Sequence, residues 1–582
     1  MITDFSTYKT KIKHREFENS AGAKFDSTVA ITFYDDYKKE ILYKELGFVS
    51  ADEIYTKIKN KETINVDECY IENFSLKDFR KSNKLSEDDK VIITNFSAKN
   101  TVFEAQYATD FSNAEFLCDD LSFKFSAFIK GKLDFSNTKF AKKINDFSYC
   151  FYNDGNISFY DAKFGEGNTI FKNSVFKTGD KNFQFCNFGT GKVLFDNVNF
   201  GNGDVNFVNT DFSQGDVSFK ISNFGKGKVD FHYSKFGKGN INFEKINFGD
   251  GIVDFRMVEF GEGKCNFNKT IFGSGDVDFE GSELKKGKIT FKKTVFGEGK
   301  INFENVIYEK ADLIFDNTIF NSDLSLFKGS VFKKLSFKSC HLDNYFDLRV
   351  KYCADLNLSD AIVRDIIDLK PYKEQVEIKS FNFSGLRLLG SVYIDWYKNN
   401  VDNIIKNQKD TGLEEKAEQF LMLKENFNSI GQYDFEDKAY IEFKRFEEKV
   451  ILKELKNKSS LHKLWGYPSY YFRVLVFDWA GLYATDPIRV LLSMVISYVF
   501  FSLIFVLMQV FNLGILSGQD EKINLLTSIG DSFYFSAITY LTVGYGDFCP
   551  IGIDRWIAAT EGFVGVFLMA YFTVAFVRKI LR

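Results

Sequence analysis

The chain has 582 residues, 45% of them hydrophobic and 26% charged, with a formal net charge of −4. Its mean hydropathy of −0.19 describes a mostly soluble chain with room for several domains, and the slight acidity argues against a nucleic-acid partner. Eight cysteines (Cys69, Cys118, Cys150, Cys186, Cys265, Cys340, Cys353 and Cys549) lack CxxC spacing, which excludes both a zinc site of that type and a disulfide framework.

The first twenty residues, MITDFSTYKTKIKHREFENS, carry many charges and no apolar core, so no signal peptide is expected. Residues 1–95 form an irregular N-terminal cap. Within it Ser50 and Glu53 make a capping box for a short helix to about Lys59, and repeat-like strands begin between Ile64 and Phe96. The cap is expected to block end-to-end stacking of the repeats on its C-terminal side.

From 96 to 396 a twelve-residue rhythm governs the chain. One phenylalanine series runs through Phe188, Phe200, Phe212, Phe224 and Phe236, the other through Phe195, Phe207, Phe219, Phe231 and Phe243, so the spacing alternates between seven and five. The rhythm extends over eighteen periods from Phe116 to Phe332, with Tyr152, Leu284 and Tyr308 as replacements. A small or β-branched residue stands two positions before each aromatic, for example Val193, Val205, Thr210 and Ser222, and strand alternation turns both members of each pair inward. A fixed short period with one large inward residue per segment means a solenoid.

This pattern resembles the pentapeptide-repeat family. The resemblance implies a right-handed, four-sided β-helix, with the departure that every second face has grown to seven residues by a Gly-x-Gly element such as Gly201-Asn202-Gly203 or Gly237-Lys238-Gly239. Two faces of each length predict a 24-residue rectangular coil, and nine such coils a rod of about 43 Å. The Gly-x-Gly elements fail as phosphate loops because no helix comes after them; glycine at left-handed corners is the expected reason for them. The aromatics belong inside, as core, where they cannot stack nucleobases. His232 and His341 stand apart from any Ser, Cys or carboxylate at triad or metal spacing, so no enzyme and no cofactor are expected. After Phe332 the steps shorten toward five residues, and Gly385 to Trp396 ends the β-rich region.

Residues 410–456 read as a helical hairpin. Phe420, Leu423, Phe427 and Ile430 repeat at helical spacing, Gly431 breaks the run, and Tyr440, Phe443, Phe446 and Val450 resume it. Residues 457–485 are rich in aromatics, including Trp465, Tyr471, Phe472 and Trp479, with Lys463 and Arg473 among them. That mixture suits a membrane interface and a mechanical coupler.

Residues 486–582 hold two segments able to cross a bilayer. Pro487 to Phe511 carries only Arg489 as a charge, and Trp556 to Val577 only Glu561, closing on Arg578, Lys579 and Arg582. These are the outer (486–513) and inner (555–578) helices. Between them, 528–541 is too short to span and runs as a pore helix into Thr542-Val543-Gly544-Tyr545-Gly546-Asp547. A potassium ion in a narrow pore sheds its water for a ring of backbone carbonyls, and glycine reaches the backbone angles that aim them inward.

The hexapeptide resembles the potassium-channel selectivity filter at all six positions. The resemblance implies that K+ is held by the carbonyls of Thr542, Val543, Gly544 and Tyr545, and that four copies of the chain complete the pore. Leu541 replaces the family's second threonine, a change to the packing behind the ion-facing atoms. No arginine-bearing sensor helix accompanies the spans, so voltage-sensor gating is not expected.

Positive residues before the outer helix and after the inner one place both termini in the cytoplasm of a cell that carries the pore in its plasma or inner membrane, with Tyr545, Asp547 and Cys549 outward. No regulatory domain is expected after the inner helix, so control is expected through the outer helix or by contact of the hairpin with inner-helix ends. Gly562 and Gly565 are candidate hinges or packing positions, and Glu561 a charge that must face protein or water.

The chain is thus read as multidomain: a right-handed quadrilateral β-helix, an α-helical hairpin linker and an all-α pore-loop unit. It is expected to work as a homotetrameric, potassium-selective channel in a lipid bilayer, with an unidentified ligand or protein on the solenoid left open. The alternative is a membrane-tethered solenoid scaffold whose pore is silent or a weakly selective cation path.

Overall fold

The computed structural model of the chain describes residues 5–581 except 323, 374, 512 and 518–524. The first four residues of the cap and Arg582 therefore lie outside the described residues. The chain divides into two compact units, Met1–Gln408 and Lys409–Arg582.

The first unit is a β-solenoid. Equivalent residues of successive coils pair in parallel 24 apart, on four faces. Val193 pairs with Val217 and Val205 with Val229 in two long sheets, and bridges join Asn199 to Asn223 and Asp211 to Lys235 on the faces between them. One sheet carries fifteen strands from Ile64–Asn65 onward, and its last two share a single partner strand, so the solenoid has fourteen coils. The nine coils of the regular rhythm are therefore the middle of a longer array.

Each phenylalanine does two jobs. Its N–H donates to the next coil, as from Phe195 to the Ser218 carbonyl at 2.7 Å and from Phe200 to the Asn223 carbonyl at 2.8 Å. Its ring stacks on its counterpart in four ladders: Phe195 on Phe219 at 4.8 Å, Phe200 on Phe224 at 4.3 Å, Phe207 on Phe231 at 4.8 Å and Phe212 on Phe236 at 4.6 Å. Rings of neighbouring ladders meet edge to face, Phe207 with Phe219 at 5.6 Å and 83°, which suits the ring quadrupoles. All of these rings are fully buried. Small polar residues beside them bond to the coil before. Thr210 Oγ1 donates to the Phe183 carbonyl at 2.7 Å and Ser234 Oγ to that of Phe207 at 2.6 Å.

Glycine does less corner work than the sequence predicts. The left-handed corner lies two residues after each phenylalanine of the seven-residue face and is held mostly by other residues: Asn209 (φ 55°), Ile221 (61°), Tyr233 (58°), Lys245 (59°) and Met257 (54°). Gly201 is left-handed at φ 59°, but Gly215 is not. A Cβ on Gly215 would sit 1.8 Å from the Gly191 carbonyl oxygen of the coil before. Close stacking of backbone on backbone is the stronger reason for Gly-x-Gly here. Beyond it the coil contracts, with Leu313 facing Leu335 and Leu335 facing Leu356, 22 and 21 residues on.

At the N-terminal end Glu40–Val49 pairs in parallel with Cys69–Glu72 of the first coil and antiparallel with Thr28–Tyr34, which pairs in turn with Thr7–Lys13. Lysines 9, 11 and 13 on that outermost strand discourage further strand addition. Phe5 packs on Phe33 at 4.8 Å and on Phe151 at 5.4 Å, so the hairpin also covers the flank of the first coils. Helix α1 (Ala51–Lys59) carries the Ser50–Glu53 capping box, and α2 (Leu76–Ser82) starts on Ser75. At the other end α3 (Val401–Asn407) closes the last coil, with Asn399 Nδ2 donating to the Leu369 carbonyl at 3.0 Å.

The second unit is helical: α4 (Leu413–Ser429), α5 (Tyr433–Asn457), α6 (Ser460–Arg473), α7 (Pro487–Val510), α8 (Leu525–Tyr540) and α9 (Asp554–Ile580). Helices α4 and α5 form the hairpin around buried Phe420, Leu423, Phe427 and Phe446, with Gly431 left-handed at the turn. After α6 the chain makes one wide helical turn, Val474–Trp479, and then three left-handed residues, Leu482, Tyr483 and Ala484, before α7. Helices α2 and α3 are additions that sequence periodicity does not reveal, and α8 begins three residues before its expected start.

Candidate functional site

Helix α7 starts on a cap that its sequence supplies. The Asp486 carboxylate accepts from the Arg489 N–H at 3.1 Å and Pro487 takes the first helical position, where no N–H is needed. Both α7 and α9 are long and apolar enough to cross a membrane. Along α7, Ile488, Leu492, Ile496, Phe500, Leu503 and Leu507 form an exposed apolar stripe, as hydrocarbon contact would require. The opposite side holds α8: Phe505 meets Phe535 edge to face at 5.0 Å, and the Tyr498 hydroxyl donates to the Phe533 carbonyl at 3.1 Å.

Helix α8 is too short to span and ends directly at the hexapeptide. The Ile538 carbonyl in its last turn accepts from Val543 at 2.8 Å and Gly544 at 3.2 Å, which folds the chain back on the helix end. From there the backbone alternates in hand. Thr542 (φ 56°), Gly544 (59°) and Gly546 (82°) are left-handed, whereas Val543 and Tyr545 are not. Alternation of this kind turns successive peptide groups the same way, N–H groups to one side and carbonyls to the other. Thr542 is β-branched, and a left-handed backbone costs it of order 1–3 kcal/mol; sequence reading assigns such angles to the glycines alone.

The segment is uncovered. All residues from Leu541 to Asp547 are exposed, including Val543 at 46% and Tyr545 at 74%. Among the described residues no donor reaches the carbonyls of Thr542, Val543, Gly544 or Tyr545. Four adjacent carbonyls without a donor form a row of oxygen ligands suited to a hard cation. Cys549 is also exposed. Its strand Cys549–Ile551 pairs antiparallel with Ile515–Ser517.

Helix α9 supports this segment from behind. Ser536 Oγ donates to Glu561 Oε1 at 2.5 Å, and both residues are fully buried. One turn further along both helices, a Cβ on Gly565 would lie 2.1 Å from the Tyr540 carbonyl oxygen. Gly565 therefore allows α9 to touch the end of α8, whereas a Cβ on Gly562 would lie 3.8 Å from the Thr539 carbonyl oxygen, an ordinary contact, so Gly562 has no such duty. Glu561 faces protein, with its second oxygen unpartnered among the described residues.

At the far end of α9 lies the expected contact with the hairpin, made by acidic residues of α5 that no local sequence signal singles out. Arg578 reaches Asp437 at 3.0 Å, and Lys579 reaches Asp437 at 2.9 Å and Asp434 at 3.4 Å. The Arg578 guanidinium also lies over the Tyr440 ring at 4.7 Å. Tyr571 joins α9 to the segment before α7: its hydroxyl accepts from the Ala484 N–H at 2.9 Å and donates to the Phe477 carbonyl at 3.1 Å.

The solenoid offers little competing chemistry. Register brings Asp230, His232 and Asp254 together, with ligand atoms within 4.8 Å, so His232 does not stand alone as its sequence spacing implies. However, Lys228 Nζ lies 2.6 Å from Asp230 and 3.2 Å from Asp254, and Arg256 lies 2.6 Å from Asp254, so both carboxylates already have cations. Burial pushes the Cys150, Cys340 and Cys353 thiols up to about 12, which leaves them as inert core.

Comparison with known proteins agrees on the C-terminal region. Residues 492–582 match the family model described as ion channel. Protein LctB of Bacillus caldotenax is 39% identical over 75 residues, which cover 12% of this chain and 54% of that protein. Protein LctB of Geobacillus stearothermophilus is 49% identical over 47 residues, 8% of this chain and 35% of that one. The chain thus spans about half the length of the first relative and about a third of the second. No solved structure matches the chain. The chain thus joins a C-terminal region similar to ion channels, with two membrane-length helices, to a fourteen-coil β-solenoid.

Proposed function

We propose that the chain forms a homotetrameric, potassium-selective channel that conducts passively through Thr542-Val543-Gly544-Tyr545-Gly546-Asp547. The observation that carries this reading is the row of carbonyls from Thr542 to Tyr545, exposed, without donors and alternating in hand at the end of α8. One protomer supplies one side of a coordination shell, and four copies around an axis replace the water of a dehydrated K+. The exposed Leu541, Val543 and Tyr545 are then covered by the neighbouring copies and the pore helices behind them.

In this reading α7 is the outer helix, α8 the pore helix and α9 the inner helix, with Tyr545 and Asp547 facing outward and both termini on the cytoplasmic side of the plasma or inner membrane. Glu561 and Gly565 hold the pore helix in place, and Gly562 is free to serve as a hinge. The solenoid is a cytoplasmic sensing or scaffolding domain, and gating does not use a voltage-sensor helix. Reversal potential measured on the purified full chain in bilayers with unequal potassium and sodium tests the proposal. A reversal near the potassium equilibrium potential is expected. A reversal near zero would make it a weakly selective cation path, and absence of current would favour a membrane-tethered scaffold.

A further inference from the structure

Helix α5 is tied to both ends of the membrane unit. Near its start Asp434, Asp437 and Tyr440 take the cations of the last turn of α9. Further along, Arg445 binds Asp478 at 3.0 Å and Glu448 lies 3.1 Å from Arg473, both partners belonging to the segment that leads into α7. The two attachment points are about eleven residues apart, or about 16 Å of continuous helix. That length is a strut rather than a hinge.

The pairs at the end of α9 are not ordinary surface ion pairs. Side-chain exposure is 9% for Asp437 and 22% for Arg578, so the charges are shielded from solvent, and two cations converge on one carboxylate. The last turn of a helix, where carbonyls lack partners, also favours cations at 578 and 579. Together with the Tyr440 ring, these contacts fix the position of the last turn of α9.

We propose that the start of α5 is a gating latch, in which Asp437 and Arg578 act as positioning residues that set the equilibrium between open and closed positions of the inner-helix end. The inference rests on the channel reading and adds a regulated element to it. Movement of the hairpin then reaches the pore through α9 directly, as well as through the segment before α7.

The test uses the full-length chain in phosphatidylcholine bilayers with symmetrical potassium chloride. Asp437→Arg and Arg578→Asp are each expected to change open probability at least about fivefold, in a common direction, within the usual range of coupling between sites. Because the pair is shielded from solvent, raising ionic strength on the hairpin side from about 0.1 to 1 M with a salt of an impermeant cation should move the wild type in that same direction by less than either reversal. The double reversal restores opposite charges at 437 and 578 but leaves Lys579 facing a cation and Glu436 facing an anion, so it should recover part, and not all, of the shift, with unit conductance and reversal potential unchanged in every variant. Asp437→Asn, nearly isosteric, should produce a smaller shift of the same sign and serves if a reversed single variant does not fold. Selective wild-type current with indifferent variants, or a double reversal without rescue, would overturn the latch alone. A wild type without potassium current would overturn the channel reading and the latch with it.

Discussion

The solenoid and the hexapeptide both place left-handed residues at fixed intervals, and the interval decides what the backbone can do. In the solenoid the interval is twelve: Asn209, Ile221, Tyr233 and Lys245 each turn one corner, and the strands between them bond to the coils on either side. In the hexapeptide it is two: Thr542, Gly544 and Gly546 alternate with Val543 and Tyr545, and the carbonyls between them find no donor among the described residues. The first spacing closes a structure on itself, whereas the second leaves oxygen ligands for something outside it.

The largest expected effect breaks the second region without touching the first. Gly544→Asp places a side chain on a left-handed backbone in the carbonyl row and should lower potassium flux to below about a hundredth of wild type, while solenoid circular dichroism is unchanged. Phe219→Ala breaks the first region instead. It empties one rung of a fully buried ladder and should cost about 3–5 kcal/mol, seen as loss of hydrogen-exchange protection in its own and adjacent coils, with potassium selectivity retained.

A smaller test concerns Lys181, fully buried where other coils have Val193 or Val205. Its ammonium donates to the Asn202 carbonyl at 2.7 Å, yet desolvation lowers its pKa from 10.5 to about 8. Between those values the unfolded chain binds the proton that the folded one lacks, so stability should rise with pH from about 8 to 10.5 and be lowest below 8. Lys181→Met should add about 1–3 kcal/mol at pH 7 in chemical denaturation and flatten that pH dependence. The smallest effect is at a corner: Ile221→Asn, at φ 61°, should stabilise the solenoid by about 1 kcal/mol in the same assay, because asparagine tolerates the left-handed region better.

The phenylalanine ladders were legible because every ring repeats at twelve residues and every second rung falls on the same face. The pore-loop region was legible because its apolar lengths and its hexapeptide are local. Three things were not. The antiparallel strands of the cap and helices α2 and α3 each occur once, docked through contacts such as Phe5 on Phe151 and Asn399 on Leu369, and leave no period to detect. The glycines announce flexibility in sequence, and only the stacked coils reveal that Gly215 is there for lack of space. Arg578 meets Asp437 across 141 residues, a pairing that composition cannot encode. Glu561 lay between these cases: its burial was readable from the span, its partner Ser536 only from the fold.

The coil of 24 residues is built from two halves of twelve, and successive halves lie in different sheets, Val193 in one and Val205 in the other. Gene duplication can therefore lengthen this array in two distinct ways. Adding 24 residues preserves the orientation of its ends, whereas adding twelve keeps every ring inside but turns the N-terminal hairpin by half a revolution relative to α3. A natural variant with an odd number of half-coils would present the same core and an inverted flank.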